Sequence, residues 1–411
     1  MTETPRPASA RTLFAQKSFR TLWLAQFVSV FGDFLAMFGV ISRITFRLHG
    51  SATDVALVIV AYMAPVSLIA LLAGVLVDRW PVRRVMIASD LIRAGFAVWL
   101  VFATSVPQIA LVMAAMGVVS SFFGPAQAVA VRTLVAKEDL LPANALFAQA
   151  FYVVRTLSPA LAGTLVALLG ENACFWLDAG TFVFSAAMVF TLQIARAPPS
   201  PHESAKTMWH QFLEGNRFIF THKELSFAFL SSCAAMFVLS SFSPLISVYI
   251  RDMLHKGPLI YGFISAMVGV GLIAGTQVVR TAAAKRPMEE IVLGGLLGLG
   301  LGAMLLGAFT YSATAAVSTF LLGGAIAFVV VPAQTLSQKE TPHEMMGRVA
   351  STFMALFSLS QVLGMLLSGA LADRLGIRQL FLACGALVVA MACVGWFLLR
   401  PRSAPAPEVE P

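Results

Sequence analysis

The stretch AGVLVDRWPVRRVM, Ala73 to Met86, sets Asp78, Arg79, Arg83 and Arg84 between two long apolar runs. A helix needs about 20 apolar residues to cross the hydrocarbon core of a bilayer, and both neighbouring runs reach that length. The pattern of apolar run and short charged loop recurs along all 411 residues, which are 58% hydrophobic and only 12% charged. Mean hydropathy is +0.84. One water-facing core could not absorb so much apolar surface. The expected fold class is therefore an all-α integral membrane protein. Its twelve spans are expected near 21–46, 54–77, 84–104, 107–131, 145–169, 173–194, 225–250, 258–280, 288–309, 313–335, 347–372 and 377–399.

The formal charge of +8 reads as topology, not as a nucleic-acid surface. With the N-terminus placed in the cytoplasm, 20 of the 28 Lys and Arg residues fall in cytoplasmic segments and five in outside loops. Arg43, Arg93 and Arg155 lie inside spans. Basic loops resist translocation, so both termini are expected inside, in a cytoplasmic membrane of bacterial type. The first 20 residues carry four basic groups and lack the apolar stretch of a cleavable signal. Cys174, Cys233, Cys384 and Cys393 lie in or beside spans and read as packing residues, not metal ligands.

Five segments follow. Residues 1–20 form a cytoplasmic N-terminal segment and 21–195 an N-terminal bundle of six spans. Residues 196–224 form a cytoplasmic linker, 225–399 a C-terminal bundle of six, and 400–411 a disordered cytoplasmic tail. In the linker, Met208, Trp209, Phe212 and Leu213 share one face of an amphipathic helix. The halves resemble each other: GTLVALLGENACF (Gly163 to Phe175) aligns without a gap on GALADRLGIRQLF (Gly369 to Phe381), 206 residues later. PAQ at Pro125 recurs at Pro332. Duplication of a six-span unit is expected, with a substrate site between the halves.

The loop within Ala73 to Met86 resembles the G-x-x-x-D-R-x-G-R-R signature of the major facilitator superfamily. Pro81 stands where the second glycine usually is. The resemblance implies two pseudo-symmetric six-helix bundles and a conformational latch built from Gly74, Asp78, Arg79, Arg83 and Arg84. Gly74 would permit close helix approach. Asp78 would meet a helix N-terminus or an arginine. Ordinary anchoring by basic residues is the alternative. The counterpart GLIAGTQVVRTAAAKRP keeps Gly275 and Arg280 but has no Asp. RTLSPALAGTL, Arg155 to Leu165, is similar to the antiporter motif of span five, with Ser158, Pro159 and Gly163 carrying the likeness; generic small-residue packing explains it equally well. With FFGPAQAVAVRTLVAKEDLLPANAL (Phe122 to Leu146), ETPHEMMGRVAS (Glu340 to Ser351) and QFVSVFGDF (Gln26 to Phe34), the whole chain looks like the drug and macrolide efflux branch.

Within span one, Gln26, Ser29, Asp33 and Arg43 fall in an arc of about 100°. A polar stripe on an apolar helix should face a water-filled cavity. Desolvation disfavours the charged form of a carboxylate, so Asp33 is expected to hold and release a proton. Arg155 sits at similar depth on span five and is its expected partner in one state of a cycle; a fixed buried ion pair is the alternative. Asp90 and Arg93 read as a self-neutralising pair on one helix, and Asp178 as interfacial. Met37, Gln127, Gln334 and Gln361 are further cavity candidates.

No nucleotide-binding loop, zinc-binding helix or serine-nucleophile motif is present in the sequence, so an embedded enzyme is not expected, nor a cofactor beyond the proton. The expected activity is proton-coupled efflux of hydrophobic or amphipathic small molecules by one chain working as a monomer. Uptake of a solute, movement of a lysophospholipid and a non-transporting receptor or scaffold are the alternatives.

Overall fold

The computed structural model describes residues 10–77, 79–194, 205–342 and 344–399. In chain order the helices are α1 (Ala10–Ala15), α2 (Lys17–Ser42), α3 (Ala52–Val77), α4 (Val82–Phe102), α5 (Val106–Leu134), α6 (Leu140–Leu169) and α7 (Glu171–Phe190). They continue with α8 (Ala205–Thr221), α9 (Lys223–Asp252), α10 (Pro258–Ala282), α11 (Met288–Ala308), α12 (Ser312–Glu340), α13 (Met346–Leu375) and α14 (Ile377–Leu399). A π-helical turn, Arg43–Arg47, extends α2. Among the described residues twelve helices are long and apolar enough to cross a membrane: α2 to α7 and α9 to α14. Many large apolar side chains, including Trp99, Phe102, Leu168 and Phe397, point outward. Only a lipid environment makes that surface stable.

The halves keep one helix register. Leu140–Leu169 is repeated by Met346–Leu375, and Val82–Phe102 by Met288–Ala308, each displaced by 206 residues. The joints repeat as well. Gly170 (φ 78°) separates α6 from α7, and Gly376 (φ 86°) separates α13 from α14. Both adopt a conformation that only glycine enters at low cost. His49 and His255, also 206 residues apart, share φ 52°. Helix starts use different chemistry in the two halves. At α3, Ser51 N–H donates to Asp54 Oδ2 (2.8 Å) and Asp54 N–H donates to Ser51 Oγ (3.2 Å), a reciprocal cap. At α10, Pro258 occupies the first turn, where no N–H is needed.

The two six-helix bundles meet along α6 with α10 and along α3 with α13. An added Cβ on Gly163 would lie 2.8 Å from Gly262 Cα, so these helices touch backbone to backbone. Gly369 lies similarly close to Thr53. Among the described residues, the hydrogen bonds seen between the bundles lie at the face remote from α1 and α8. There Thr45 Oγ1 donates to Ser247 Oγ (3.0 Å), Thr53 Oγ1 to Asp373 Oδ2 (2.6 Å), and Arg251 to the Thr45 and Gly50 carbonyls. Phe38 stacks on Tyr261 nearby. Towards the α1 and α8 face, Leu141, Tyr152, Arg155 and Met354 are exposed. Among the described residues, the hydrogen-bonded joints between the bundles therefore lie at the far face.

Candidate functional site

Asp33 lies in the middle of α2, with its side chain 26% exposed. Its ion-pair partner is Arg93 of α4, at 3.7 Å, and not Arg155. Arg155 lies on the surface of the spanning helix α6 and has no ion-pair partner among the described residues. The physical reason is lateral packing: α4 and α2 both lie against α7, which brings their inward faces together, whereas Arg155 sits on α6, whose main contact is with α10 of the other bundle. Arg93 Nη2 also holds Asp90 at 2.5 Å, so the i,i+3 pair on α4 is not self-contained. The guanidinium stands 4.3 Å from the ring centroid of Phe182 and 4.6 Å from that of Phe123. Such desolvated cation–π contacts contribute up to about 2 kcal/mol.

Asp178 departs from the sequence expectation. It is not interfacial but fully buried on α7. Its Oδ1 would lie 2.6 Å from a Cβ on Gly32, the residue before Asp33, so glycine there makes room for the carboxylate. Tyr62 of α3 borders the same group of charges and lies 3.4 Å from Ser120 Oγ.

The polar stripe of span one divides. Ser29 is buried and its hydroxyl has no partner among the described residues, as is true of Gln26 Oε1. Arg43 does not line a cavity. It is 2% exposed and ties three helix ends together at the far face. It donates to the Leu100 and Ala103 carbonyls at the end of α4, to Asn172 Oδ1, and to Glu171 at the start of α7. Carbonyls left free at a helix end attract a guanidinium, and an arginine near the end of α2 reaches them. Met37, Gln127 and Gln361 are partly buried, and Gln334 is exposed.

In the expected latch, Asp78 lies outside the described residues. An added Cβ on Gly74 would meet nothing within 4 Å, so no close approach of another helix is seen there among the described residues. Arg83 donates to the Phe190 carbonyl and covers the Phe190 ring, tying α4 to the end of α7 within one bundle. Arg79 and Arg84 are exposed. On α6, Ser158 is buried with a hydroxyl that has no partner among the described residues, Pro159 lies inside the helix, and Gly163 takes part in the contact with α10. The Met208 and Trp209 side chains lie outside the described residues. At the other end of α8, Glu214 pairs with Arg348 of α13 at 2.6 Å.

Twelve spanning helices in two repeated bundles, with buried charges in one of them, define a membrane transporter fold. The Major Facilitator Superfamily model matches residues 22–364 and 291–411, and the chain belongs to that family. It is 26% identical over 401 residues to the uncharacterised MFS-type transporter YfiS of Bacillus subtilis, covering 92% of each chain. It is 25% identical to the multidrug efflux pump Tap of Mycolicibacterium fortuitum, covering 86% of this chain and 89% of that one. It is 24% identical to macrolide efflux protein A of Streptococcus pyogenes, covering 92% and 94%. Among solved structures, a bacterial homologue of the human lysosomal transporter Spinster, inward-facing and unoccupied, gives a TM-score of 0.73 at 14% identity, covering 95% and 99%. A point mutant of the nucleoside transporter NupG gives 0.74 at 13% identity, covering 94% and 100%.

Proposed function

We propose that this multi-pass transporter exports hydrophobic or amphipathic small molecules in exchange for protons, by alternating access. The observation that carries the reading is the Asp33–Arg93 pair: a partly exposed carboxylate in the middle of a spanning helix, facing a buried guanidinium at 3.7 Å. That separation exceeds hydrogen-bond length. Arg93 therefore steadies charge on Asp33 without fixing a proton between them. Ionisable groups at membrane depth mark proton and substrate pathways. The efflux pumps among the relatives favour export over uptake.

Access alternates when the far-face contacts open and the near face closes. In this reading the near face is cytoplasmic and both termini lie inside a bacterial cytoplasmic membrane. Arg79, Arg83 and Arg84 take part in the closed near-face latch of the opposite conformer. Arg155, Gln127, Gln334 and Gln361 face substrate between the bundles, and a single chain is the working unit. Exchange that moves one net charge gains about 2.3 kcal/mol per 100 mV. At ~150 mV this sustains a gradient of a few hundredfold.

Efflux of ethidium and of a macrolide is measured from cells expressing wild type or Asp33→Asn at matched membrane levels, with and without a protonophore. Efflux that the protonophore and the substitution each abolish supports the reading. Efflux that survives both overturns it.

A further inference from the structure

Arg93 pairs with two carboxylates, Asp33 and Asp90, and a third, Asp178, belongs to the same group of interacting charges; the repeat supplies an internal control for what they do. The groups around it are Asp33 from α2, Tyr62 from α3, Asp90 on its own helix α4, and Asp178 from α7. The helices of the second bundle run in the same register 206 residues on. The positions matching Asp33, Asp90, Arg93 and Asp178 hold Leu239, Leu296, Leu299 and Cys384. Leu296 and Leu299 are fully buried there. The architecture is therefore built without charge in one bundle, and packing alone does not require charge in the other.

The charges do not balance. With every carboxylate ionised, three negative charges would face one positive charge in a site where Asp90, Arg93 and Asp178 are almost wholly removed from solvent. A buried charge is tolerated only when paired. Asp90 takes Arg93 at 2.5 Å and Asp33 lies 3.7 Å from it. Asp178 is left over: it is fully buried, and among the described residues no cation pairs with it and neither oxygen has a well-aligned hydrogen bond, the Thr181 hydroxyl being the polar group beside it. The neighbouring Thr181 hydroxyl donates instead to the Asp178 backbone carbonyl. Thr181 Oγ1 and Asp178 Oδ1 together fill the space left by the missing side chain of Gly32, the residue adjoining Asp33.

We propose that Asp178 is a second proton-binding residue of the transport site, which carries a proton while Arg93 is shared by Asp33 and Asp90. This assignment rests on the reading of Asp33 as the coupling carboxylate. Asp33, the partly exposed member, exchanges protons with the opening between the bundles. Asp178 holds its proton out of reach of water. When Asp33 is ionised and Arg93 turns towards Asp178, the proton on the Asp178 carboxyl passes to the Asp33 carboxylate, leaving Asp178 ionised beside the guanidinium. The exchange conserves the charge of the site and needs no other reactant.

The test is an infrared titration of the purified protein in lipid nanodiscs, following the carbonyl stretch of protonated carboxylic acids. Wild type at neutral pH is expected to show a protonated carboxyl band that Asp178→Asn removes. Exchanging sodium for choline should leave the band unchanged. A spectrum that Asp178→Asn leaves unaltered overturns the proposal, as does a carboxylate signal at Asp178 that responds to sodium, which would mark a metal-cation site. If Asp178→Asn does not accumulate, Asp33→Asn is titrated instead. Its remaining protonated carboxyl band at neutral pH supports the proposal, and loss of that band overturns it. The titration needs no substrate, so its outcome is independent of whether Asp33→Asn abolishes efflux.

Discussion

Arg93 Nη1 on α4 lies 3.7 Å from Asp33 Oδ2 on α2, while Nη2 of the same guanidinium holds Asp90 at 2.5 Å. Removing the cation alone leaves buried carboxylates without compensation. Arg93→Leu is expected to lower stability by about 3–5 kcal/mol. Replacing the whole set by its counterparts from the second bundle (Asp33→Leu, Asp90→Leu, Arg93→Leu, Asp178→Cys) removes charge and compensation together. That variant should unfold at or above the wild-type temperature in detergent, because apolar replacement of a buried ion network is often neutral or stabilising. It should transport nothing.

The far face is held by few polar links, and Thr53 to Asp373 is a direct one at 2.6 Å. The pair is exposed, so Thr53→Val should cost about 1 kcal/mol and favour the far-open conformer ~5-fold. Electron–electron distance measurements between spin labels on the two bundles at that face should show the longer distance gain population.

Gly163 and Gly262 allow α6 and α10 to touch, with 2.8 Å between an added Cβ on Gly163 and Gly262 Cα. Gly163→Leu cannot be accommodated by moving a side chain, since the obstacle is backbone. The protein is expected to accumulate with its bundles wedged apart, at an overpacking cost of about 1–3 kcal/mol. Efflux should fall at least tenfold, and cysteine cross-linking between α6 and α10 should be lost.

Arg43 serves the ends of α4 and α7 rather than the transport path. Arg43→Met keeps the aliphatic bulk but frees the Leu100 and Ala103 carbonyls and leaves Glu171 paired only with Arg47. A loss of about 2–4 kcal/mol in stability is expected. In the fraction that remains folded, the dependence of efflux on the proton gradient should be unchanged. A selective loss of that dependence would move Arg43 into the coupling machinery.

The architecture is legible because lipid imposes it. Apolar length locates twelve spans, and two glycines in equivalent places, Gly170 and Gly376, mark the repeat that their shared backbone conformation then displays. The site is legible only in part. Asp33 stands out as a carboxylate in an apolar run, but its partner depends on which helices pack side by side, and depth along the span points to Arg155. The packing of α2 and α4 against α7 decides for Arg93 instead. Asp178 reads as interfacial because it lies seven residues from the start of its helix; burial there follows from Gly32 opposite. A signal for both is available: shifting the sequence by 206 residues sets Asp90, Arg93 and Asp178 against Leu296, Leu299 and Cys384. Charge in one half facing apolar residues in the other marks the positions that the fold does not need.

We propose above that Asp33 couples transport to protons. This coupling is tested most directly in liposomes containing only this protein, with the membrane potential clamped and an acidic lumen imposed. The entry of a compound that the cell assay shows to be exported is followed together with lumenal pH. Wild type is expected to take up the compound faster under the gradient and to alkalinise the lumen as it does so, and Asp33→Asn to do neither. Uptake at equal rates with and without the gradient, or proton movement that persists in Asp33→Asn, would contradict the account.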